Sequence, residues 1–582
     1  MRTARLGILR FILRDAAAPS NGGAHDLRPW CRRWSGAGLG LVLLCMAVYV
    51  PGLWNIPPVD RDEARFAQAS RQMWESGDFI VPRIQDRPRL NKPPLVYWLQ
   101  CASVAAFGDE PGRWPNGNIW VFRVPSALCA LASVLLTWRI GLRMLDPRAA
   151  ALGAALLAVC PMVAWDAHQA RADQLLLLTV IGAQGALWSC WSDVRRGRRA
   201  ATGAWVGLWV WFGLGILAKG PITPMIVILT IAALCWHSRS CRWIAGLRPA
   251  VGIPIVCAIV APWVVAVGMQ VGWSNYLHTV WDETIGRSAG AKEGHWGPPG
   301  YHLVLLCVLF WPGVMLTGLA VRRAWKLRRH GPELFLLAWI IPSWLVFEIV
   351  STKLPHYTMP LYPAVALLSA RAVLAADTRR LAGLREFGTR IGLFLWVVIG
   401  VGIMAAGIAL LEILARRGID VRSELAVLML WYLFIGMAMF WSARSLWRGR
   451  FLRAQGHALL AAVLLLMLYM QTVIPAANQL STRVVDEIER IDPAGLRPLG
   501  AVGYHEDSLI FLTRGRVERV GDGELSSWIE SRSAGEEGAH PLVIRRVNPG
   551  DLDAQVYLAE IEGLNYSRGR FETVQIVDGV KP

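Results

Sequence analysis

VDRDEARFAQASRQMWESGDFIVPRIQDRPRLNKPPLVYWL, residues 59–99, is a charged island in an apolar chain. An apolar run ends just before it at Ile56, and apolar runs dominate most of the chain beyond it. Within it lie Asp60, Asp62, Glu63, Arg65, Arg71, Glu75, Asp78 and Lys92. Pro57 and Pro58 break the preceding helix. Asp62 and Glu63 then open a helix-competent run, where carboxylates favour the positive end of the helix dipole. Phe66, Ser70, Met73 and Gly77 recur at helical spacing with Trp74 beside them, so one face of this helix is expected to lie on a membrane or a core. Gly77-Asp78 closes it, and Pro82, Pro88, Pro93 and Pro94 keep the chain in loops. Asp62 and Arg65, three apart, are expected on one helix face, side by side. Asp60 is expected to cap the helix or to support its neighbours from behind.

Outward from this island the chain reads as membrane. Of its 582 residues 54% are hydrophobic, and apolar runs of about 20 residues, enough to span a bilayer, recur throughout. The formal net charge of +18 fits cytoplasmic loops rich in arginine and attracted to anionic lipid. No aromatic-basic nucleic-acid module accompanies it, so no nucleic-acid partner is expected. Most of the 10 cysteines lie inside apolar runs, and no CxxC or His/Cys metal spacing is present. A disulfide framework or zinc finger is therefore not expected. Residues 1–37 read as a basic cytoplasmic tail rather than a cleaved signal.

Apolar runs fall at 38–56, 119–142, 149–164, 175–190, 204–217, 222–236, 251–269, 301–321, 334–350, 358–374, 391–414, 425–441 and 458–474, giving about 13 spans. The run 94–107 is short. If it does not cross, the connections 143–148, 195–199, 237–248, 322–329, 371–390 and 444–453, all rich in Arg or Lys, share one side, as the positive-inside rule requires. Counting it as a span inverts the later loops and breaks the rule, so it is expected to lie along the surface. The connections 59–118, 165–174, 218–221, 271–299, 351–356 and 415–424 then share the other side, and with them Asp62, Lys92, Asp173, Lys219, Glu283, Arg287, His295, Lys353 and His356. The organisation expected is an all-α polytopic membrane domain over 38–475, with amphipathic juxtamembrane helices in 59–118 and a periplasmic loop at 271–299. Hydrophobicity drops in 476–582, which reads as a small periplasmic α/β domain with helices at 483–491 and 525–531 and strands at 499–504, 541–546 and 570–576.

The order DEARFAQASRQMWESGDFIVPR followed by NKPPLVYWL resembles the bacterial polyprenyl-phosphate-sugar transferases of the GT-C fold, in particular the lipid A aminoarabinose transferases and the wider family related to protein O-mannosyltransferases. The resemblance recurs along the membrane part and fades in the C-terminal segment. It implies an inverting glycosyltransferase of the bacterial inner membrane. The donor would be an undecaprenyl-phosphate-linked sugar. The acceptor would be lipid A, lipopolysaccharide or another envelope molecule, a protein hydroxyl being the alternative. A transporter or flippase of lipid-linked sugars is the rival from another class. Transporters, however, place polar groups near the midplane on broken, repeated helices, whereas here they gather at one face. The protein is expected to act as a monomer among membrane lipids.

In this resemblance Asp62, with Glu63 beside it, is the candidate base that takes the acceptor's proton. The departing lipid phosphate needs cations. Lys92, in the Lys-Pro pair that follows the amphipathic helices, would supply one, with Arg65 as a second or as a partner of Asp62. Asp173, at the end of His168-Gln169-Ala170-Arg171-Ala172-Asp173, would hold a sugar or orient a cation while standing at a helix start. Lys219 in Lys-Gly-Pro, Arg287, and Lys353 with Tyr357 in Lys-Leu-Pro-His-Tyr extend the phosphate-binding set, although lysines and tyrosines at helix ends also serve as interfacial anchors. Glu283, His295 and His356 are further loop candidates. The relatives place a metal ligand at about Thr284 and an acid at Asn91; neither is present, so no metal site is carried over and metal dependence is left open.

Overall fold

The computed structural model describes residues 28–110, 115–282, 297–377, 387–533, 540–547 and 557–579. The chain enters through α1 (Arg28–Tyr49) and reaches α2 (Asp62–Ser76), a two-strand hairpin (β1 Arg83–Ile84, β2 Arg87–Pro88) and α3 (Leu95–Phe107). The long helices follow: α4 (Ile119–Met144), α5 (Pro147–Ala158), α6 (Pro161–Ala167), α7 (Asp173–Arg195), α8 (Thr202–Lys219), α9 (Ile222–Ser238), α10 (Pro249–Val271), α11 (Trp273–Trp281), α12 (Tyr301–Leu309), α13 (Thr317–Lys326), α14 (Gly331–Ile349), α15 (Tyr362–Asp377), α16 (Phe387–Arg416), α17 (Arg422–Trp447) and α18 (Phe451–Leu468). A short segment, α19 (Ile474–Ala477), leads to the C-terminal domain.

Among the described residues nine helices are long and apolar enough to cross a membrane, and two bent pairs pass when each is taken together. Every one of the thirteen expected runs carries helix, and the chain is a multi-span membrane protein. Two runs are not straight rods. Residues 147–167 bend by 58° between α5 and α6, and 301–326 turn by 111° between α12 and α13. Pro161 and Pro312 stand at these breaks and have no N–H to continue the ladder. The expectation of a single span over 301–321 is corrected accordingly. The run at 94–107 is the 13-residue helix α3, roughly 20 Å long and too short for a ~30 Å hydrocarbon core. It packs against α2 and α4.

The C-terminal sheet has the order β4-β3-β5-β7-β6, with β3 (Leu499–Val502), β4 (Val517–Arg519) and β5 (Leu542–Val547) parallel, and β6 (Tyr557–Asn565) and β7 (Arg570–Asp578) antiparallel. Alternation sets its two faces. Leu499, Ala501, Leu542 and Ile544 pack under Val484 and Ile488 of α20 (Leu480–Ile491) and Leu509 of α21 (Asp507–Leu512), whereas Val502 and Val543 pack with Val520 and Trp528 of α22 (Leu525–Ser533). The elements expected from the sequence are all present. The short helix α21 and the strands β4 and β6 add to them. This domain sits on α2: Phe511 O accepts from Arg71 at 2.7 Å, and Val517 O accepts from the Gln85 amide at 2.6 Å.

Candidate active site

Helix α2 sets the geometry. It begins at Asp62, beyond Pro57-Pro58 and the short Val59-Asp60-Arg61 link, and is closed by Gly77, whose φ of 71° only glycine adopts cheaply. Successive helical residues point about 100° apart, so the two opening carboxylates diverge. Glu63 turns inward to Arg123 on α4, where Nε meets Oε1 and a terminal nitrogen meets Oε2, both at 2.8 Å. The same carboxylate accepts the amides of Val59 and Ala170 at 2.8 Å. Arg123 spends its remaining donors on the carbonyls of Leu53, Ile56 and Pro57. Every strong polar group of this buried pair is satisfied, which fastens the island to the membrane domain and to the loop after α6. Glu63, expected beside the base, is thus occupied as an anchor.

Asp62 faces the other way, exposed within a recess rather than on an open surface. Burial would raise its carboxyl, but Arg171, Arg89 and Lys92 outweigh that and hold it below the usual carboxylate value. Arg65 does not pair with Asp62 as expected from their spacing. Its Nε donates to Asp507 at 2.7 Å, and Asp507 also accepts from Arg519 at 2.7 Å. Asp60 is likewise not the cap of α2, which has no side-chain cap. It accepts the Ser508 amide and hydroxyl, each at 2.6 Å. Both residues turn to the C-terminal domain, where Asp507 accepts from Arg65 and Ser508 donates to Asp60, each more than 440 positions away in the chain.

A second group gathers where α7 begins and α8 ends. Asp173, the first residue of α7, accepts the ammonium of Lys219, the last residue of α8. The antiparallel pair brings these two ends to the same face. One terminal nitrogen of Arg171 lies 3.3 Å from Asp173, 3.0 Å from Asp166 and 3.2 Å from His356 Nδ1. A guanidinium only donates, so Nδ1 is the acceptor, and the neutral ring carries its proton on Nε2, which faces Asp173 Oδ1 at 3.6 Å. Tyr357 sets its ring edge-on to that imidazole, 5.2 Å away. Four cations (Arg89, Lys92, Arg171, Lys219) thus meet three carboxylates (Asp62, Asp166, Asp173) in one recess, which leaves one positive charge for an anionic guest.

The structure therefore brings together Asp62, Lys92, Asp173, Lys219 and His356. Lys353 stands apart, because its ammonium donates to the carbonyls of Glu348 and Val350 at the end of α14, at 2.9 and 2.8 Å. Glu283, Arg287 and His295, with Thr284, lie outside the described residues. Asp166, Arg171 and Arg89 are not among the candidates that the sequence singles out. Asp166 lies in the same connection, 165–174, as Asp173, and its place just beyond an apolar run was the one signal that could have found it. Among the described residues no three His, Cys, Asp or Glu side chains converge as metal ligands.

Residues 91–265 match the family described as dolichyl-phosphate-mannose-protein mannosyltransferase. An undecaprenyl phosphate-alpha-4-amino-4-deoxy-L-arabinose arabinosyl transferase of Pseudomonas aeruginosa is 30% identical over 426 residues, 72% of this chain and 71% of that one. A second protein of that name, from Pseudomonas fluorescens, is 31% identical over 389 residues; the match spans 66% of this chain and 62% of the relative's length. In overall fold the chain resembles the crystal structure of ArnT from Cupriavidus metallidurans bound to undecaprenyl phosphate, with a TM-score of 0.71, 19% identity, and 94% and 99% of the two chains covered.

Proposed function

The chain belongs to the family of undecaprenyl phosphate-4-amino-4-deoxy-L-arabinose arabinosyl transferases, and on that premise we propose how its recess performs sugar transfer. The protein is a GT-C glycosyltransferase that moves a sugar from an undecaprenyl phosphate donor to lipid A or a related envelope lipid. 4-Amino-4-deoxy-L-arabinose is the sugar we assign, because the relatives are named for it. The reaction takes place on the periplasmic face, since the Arg- and Lys-rich connections lie at the opposite ends of the spans.

The observation that carries this reading is the meeting of an ionised carboxylate, Asp62, with four cations in a recess at the membrane surface. Asp62 takes the proton from the acceptor oxygen, and that oxygen's lone pair forms the new bond to the anomeric carbon. The bond from the anomeric carbon to the lipid phosphate breaks on the opposite side, so the configuration inverts. The electron pair stays on the departing phosphate, where Lys219, Arg171 and Lys92 stabilise it; a fixed cation at such a position is worth roughly 100- to 1,000-fold in rate. Asp173 holds Lys219 and Arg171 in place, and neutral His356 adds a positioned N–H without a further charge to repel them. A transporter reading has less support, because Asp62, Asp173 and Lys219 sit at the ends of helices rather than at midplane.

The reading is tested by mass spectrometry of lipid A and other envelope glycolipids from cells carrying the wild type, a deletion or Asp62→Asn. One sugar-sized increment is expected to vanish in both mutants while the variant protein remains folded in the membrane. An unchanged glycolipid profile in the deletion would remove the transferase reading.

A further inference from the structure

The turn between α17 and α18 lies at the far end of the membrane domain from the recess. The helical segment Phe451–Ala477 leads from this turn to the C-terminal domain, which sits on α2, and its 27 residues span about 40 Å. Gly449, with a φ of 68°, makes the turn tight. Here Arg444, Arg448, Arg450 and Arg453 line a concavity of about 380 Å³. Among the described residues no carboxylate lines it or lies within ion-pair distance of these four guanidiniums. Asp377, at the end of α15, reaches the turn but accepts the Leu452 amide at 3.1 Å. Ser445 and His457 are hydrogen-bonded from one helix to the other, 3.4 Å from Oγ to Nδ1, and open space remains beside Gly456.

Four guanidiniums around one concavity repel one another, and phosphate oxygens offset that cost through forked hydrogen bonds. The apolar surroundings decide which phosphate compound fits. On α17, Leu433, Met437, Phe440 and Trp441 precede Arg444 at helical spacing, and all four are exposed. On α18, exposed Leu460 stands about one turn beyond Gly456. Apolar tracks therefore run from the pocket along both helices into the span. Trp441 stands where the tracks meet the arginines, with the Arg444 guanidinium 5.8 Å from its ring centre, and an indole so placed marks the headgroup level of a bilayer. A soluble anion or an acidic protein segment would use the arginines and leave the tracks bare, whereas a lipid uses both.

We propose that this pocket binds the headgroup of an anionic phospholipid with two phosphates, of the diphosphatidylglycerol class, with acyl chains lying along α17 and α18. Four cations exceed what a single phosphodiester neutralises, and two phosphates match them better. Basic pockets between spans on the arginine-rich side of a membrane protein suit such headgroups. The site is separate from the recess and does not depend on the transferase reading. Its occupant belongs to the leaflet opposite the recess and is not a reactant.

The experiment uses the full-length protein in detergent, freed of lipid and titrated with tetraoleoyl cardiolipin, dioleoyl phosphatidylglycerol or dioleoyl phosphatidylethanolamine. Native mass spectrometry reads the bound lipid. The variant is Arg448→Gln with Arg453→Gln, and the control removes the same charge from another connection, Arg198→Gln with Arg199→Gln; all four side chains are exposed. The wild type is expected to bind cardiolipin at least about tenfold more tightly than either other lipid. The variant should lose at least about tenfold in cardiolipin affinity and the control less than about twofold. The charge-preserving pair Arg448→Lys with Arg453→Lys leaves the fold least disturbed and should fall between them. Equal loss in the two glutamine pairs would mean that only the overall charge of that face is felt. Absence of cardiolipin binding, equal affinity for phosphatidylethanolamine, or displacement of cardiolipin by inorganic pyrophosphate at the same concentration would mean that no lipid headgroup is recognised. Each of these results overturns the inference and leaves sugar transfer at the recess untouched.

Discussion

Glu63 and Arg123 hold each other through two 2.8 Å contacts, with neither side chain open to solvent. The adjacent carboxylate, Asp62, shares none of this and opens into the recess. Two acids one residue apart therefore have separable effects. Glu63→Ala leaves a buried, uncompensated guanidinium and should cost about 3–5 kcal/mol of stability, read as loss of folded yield or a lowered Tm. Asp62→Asn should leave Tm nearly unchanged and lower kcat by roughly 100- to 10,000-fold. Equal loss of Tm in both variants would contradict the division of roles.

Lys219 and Lys353 should separate in the same way. Lys219→Met removes the cation paired with Asp173 and should weaken undecaprenyl phosphate binding and lower kcat by roughly 100-fold or more, with partial recovery in Lys219→Arg. Lys353→Met removes two donations to carbonyls at a helix end. It should cost about 1–3 kcal/mol of stability and leave lipid-phosphate affinity within about twofold. Equilibrium binding of undecaprenyl phosphate to each purified variant distinguishes the two.

Asp62 is held below the usual carboxylate value by Arg171, Arg89 and Lys92 against the opposing effect of burial. It is therefore deprotonated throughout the neutral range. The acid limb of kcat/KM should lie below about pH 4, the ordinary carboxylate pKa, with no decline between about pH 8 and pH 5. An acid limb near neutrality would point to a different base.

Asp60 behaves oppositely. Burial, and then the charge of Glu506, push its carboxyl up to about 7 even though Ser508 donates two hydrogen bonds to it. Its folded pKa exceeds its unfolded value of about 3.9, so the folded state binds more protons between the two, and stability falls as pH rises through that window. The contribution of Asp60 to the joint between α2 and the C-terminal domain should be greatest below about pH 4 and be lost progressively up to about pH 7. Proteolytic release of the C-terminal domain, followed against pH, should show this trend in the wild type and a flatter one in Asp60→Asn.

The helices were largely legible because each apolar run records its own length and each break carries a proline or a charge. Asp62, Asp173, Lys219 and His356 were legible for the same reason: each sits where a helix starts or stops, at positions that the loop charges assign to one face. The sequence concealed pairings across distance. Arg65 sits three residues from Asp62 yet pairs with Asp507, 442 positions on. No local pattern encodes that contact, because it depends on how the C-terminal domain lands on α2. Arg89, between Pro88 and Leu90, looks like part of a loop, and only the packing over Phe66 and Tyr97 turns it toward Asp62.

If Asp62 activates the acceptor while the nearby cations receive the lipid phosphate, the two products must appear together. The decisive measurement is release of free undecaprenyl phosphate from undecaprenyl phosphate-linked 4-amino-4-deoxy-L-arabinose by the purified protein, with lipid A present and with lipid A left out. Acceptor-dependent release is expected from the wild type, matched one for one by glycosylated lipid A. In Asp62→Asn release should be roughly 100-fold slower with unchanged donor binding. Release at the wild-type rate in Asp62→Asn, or no acceptor-dependent release by the wild type, would contradict this mechanism.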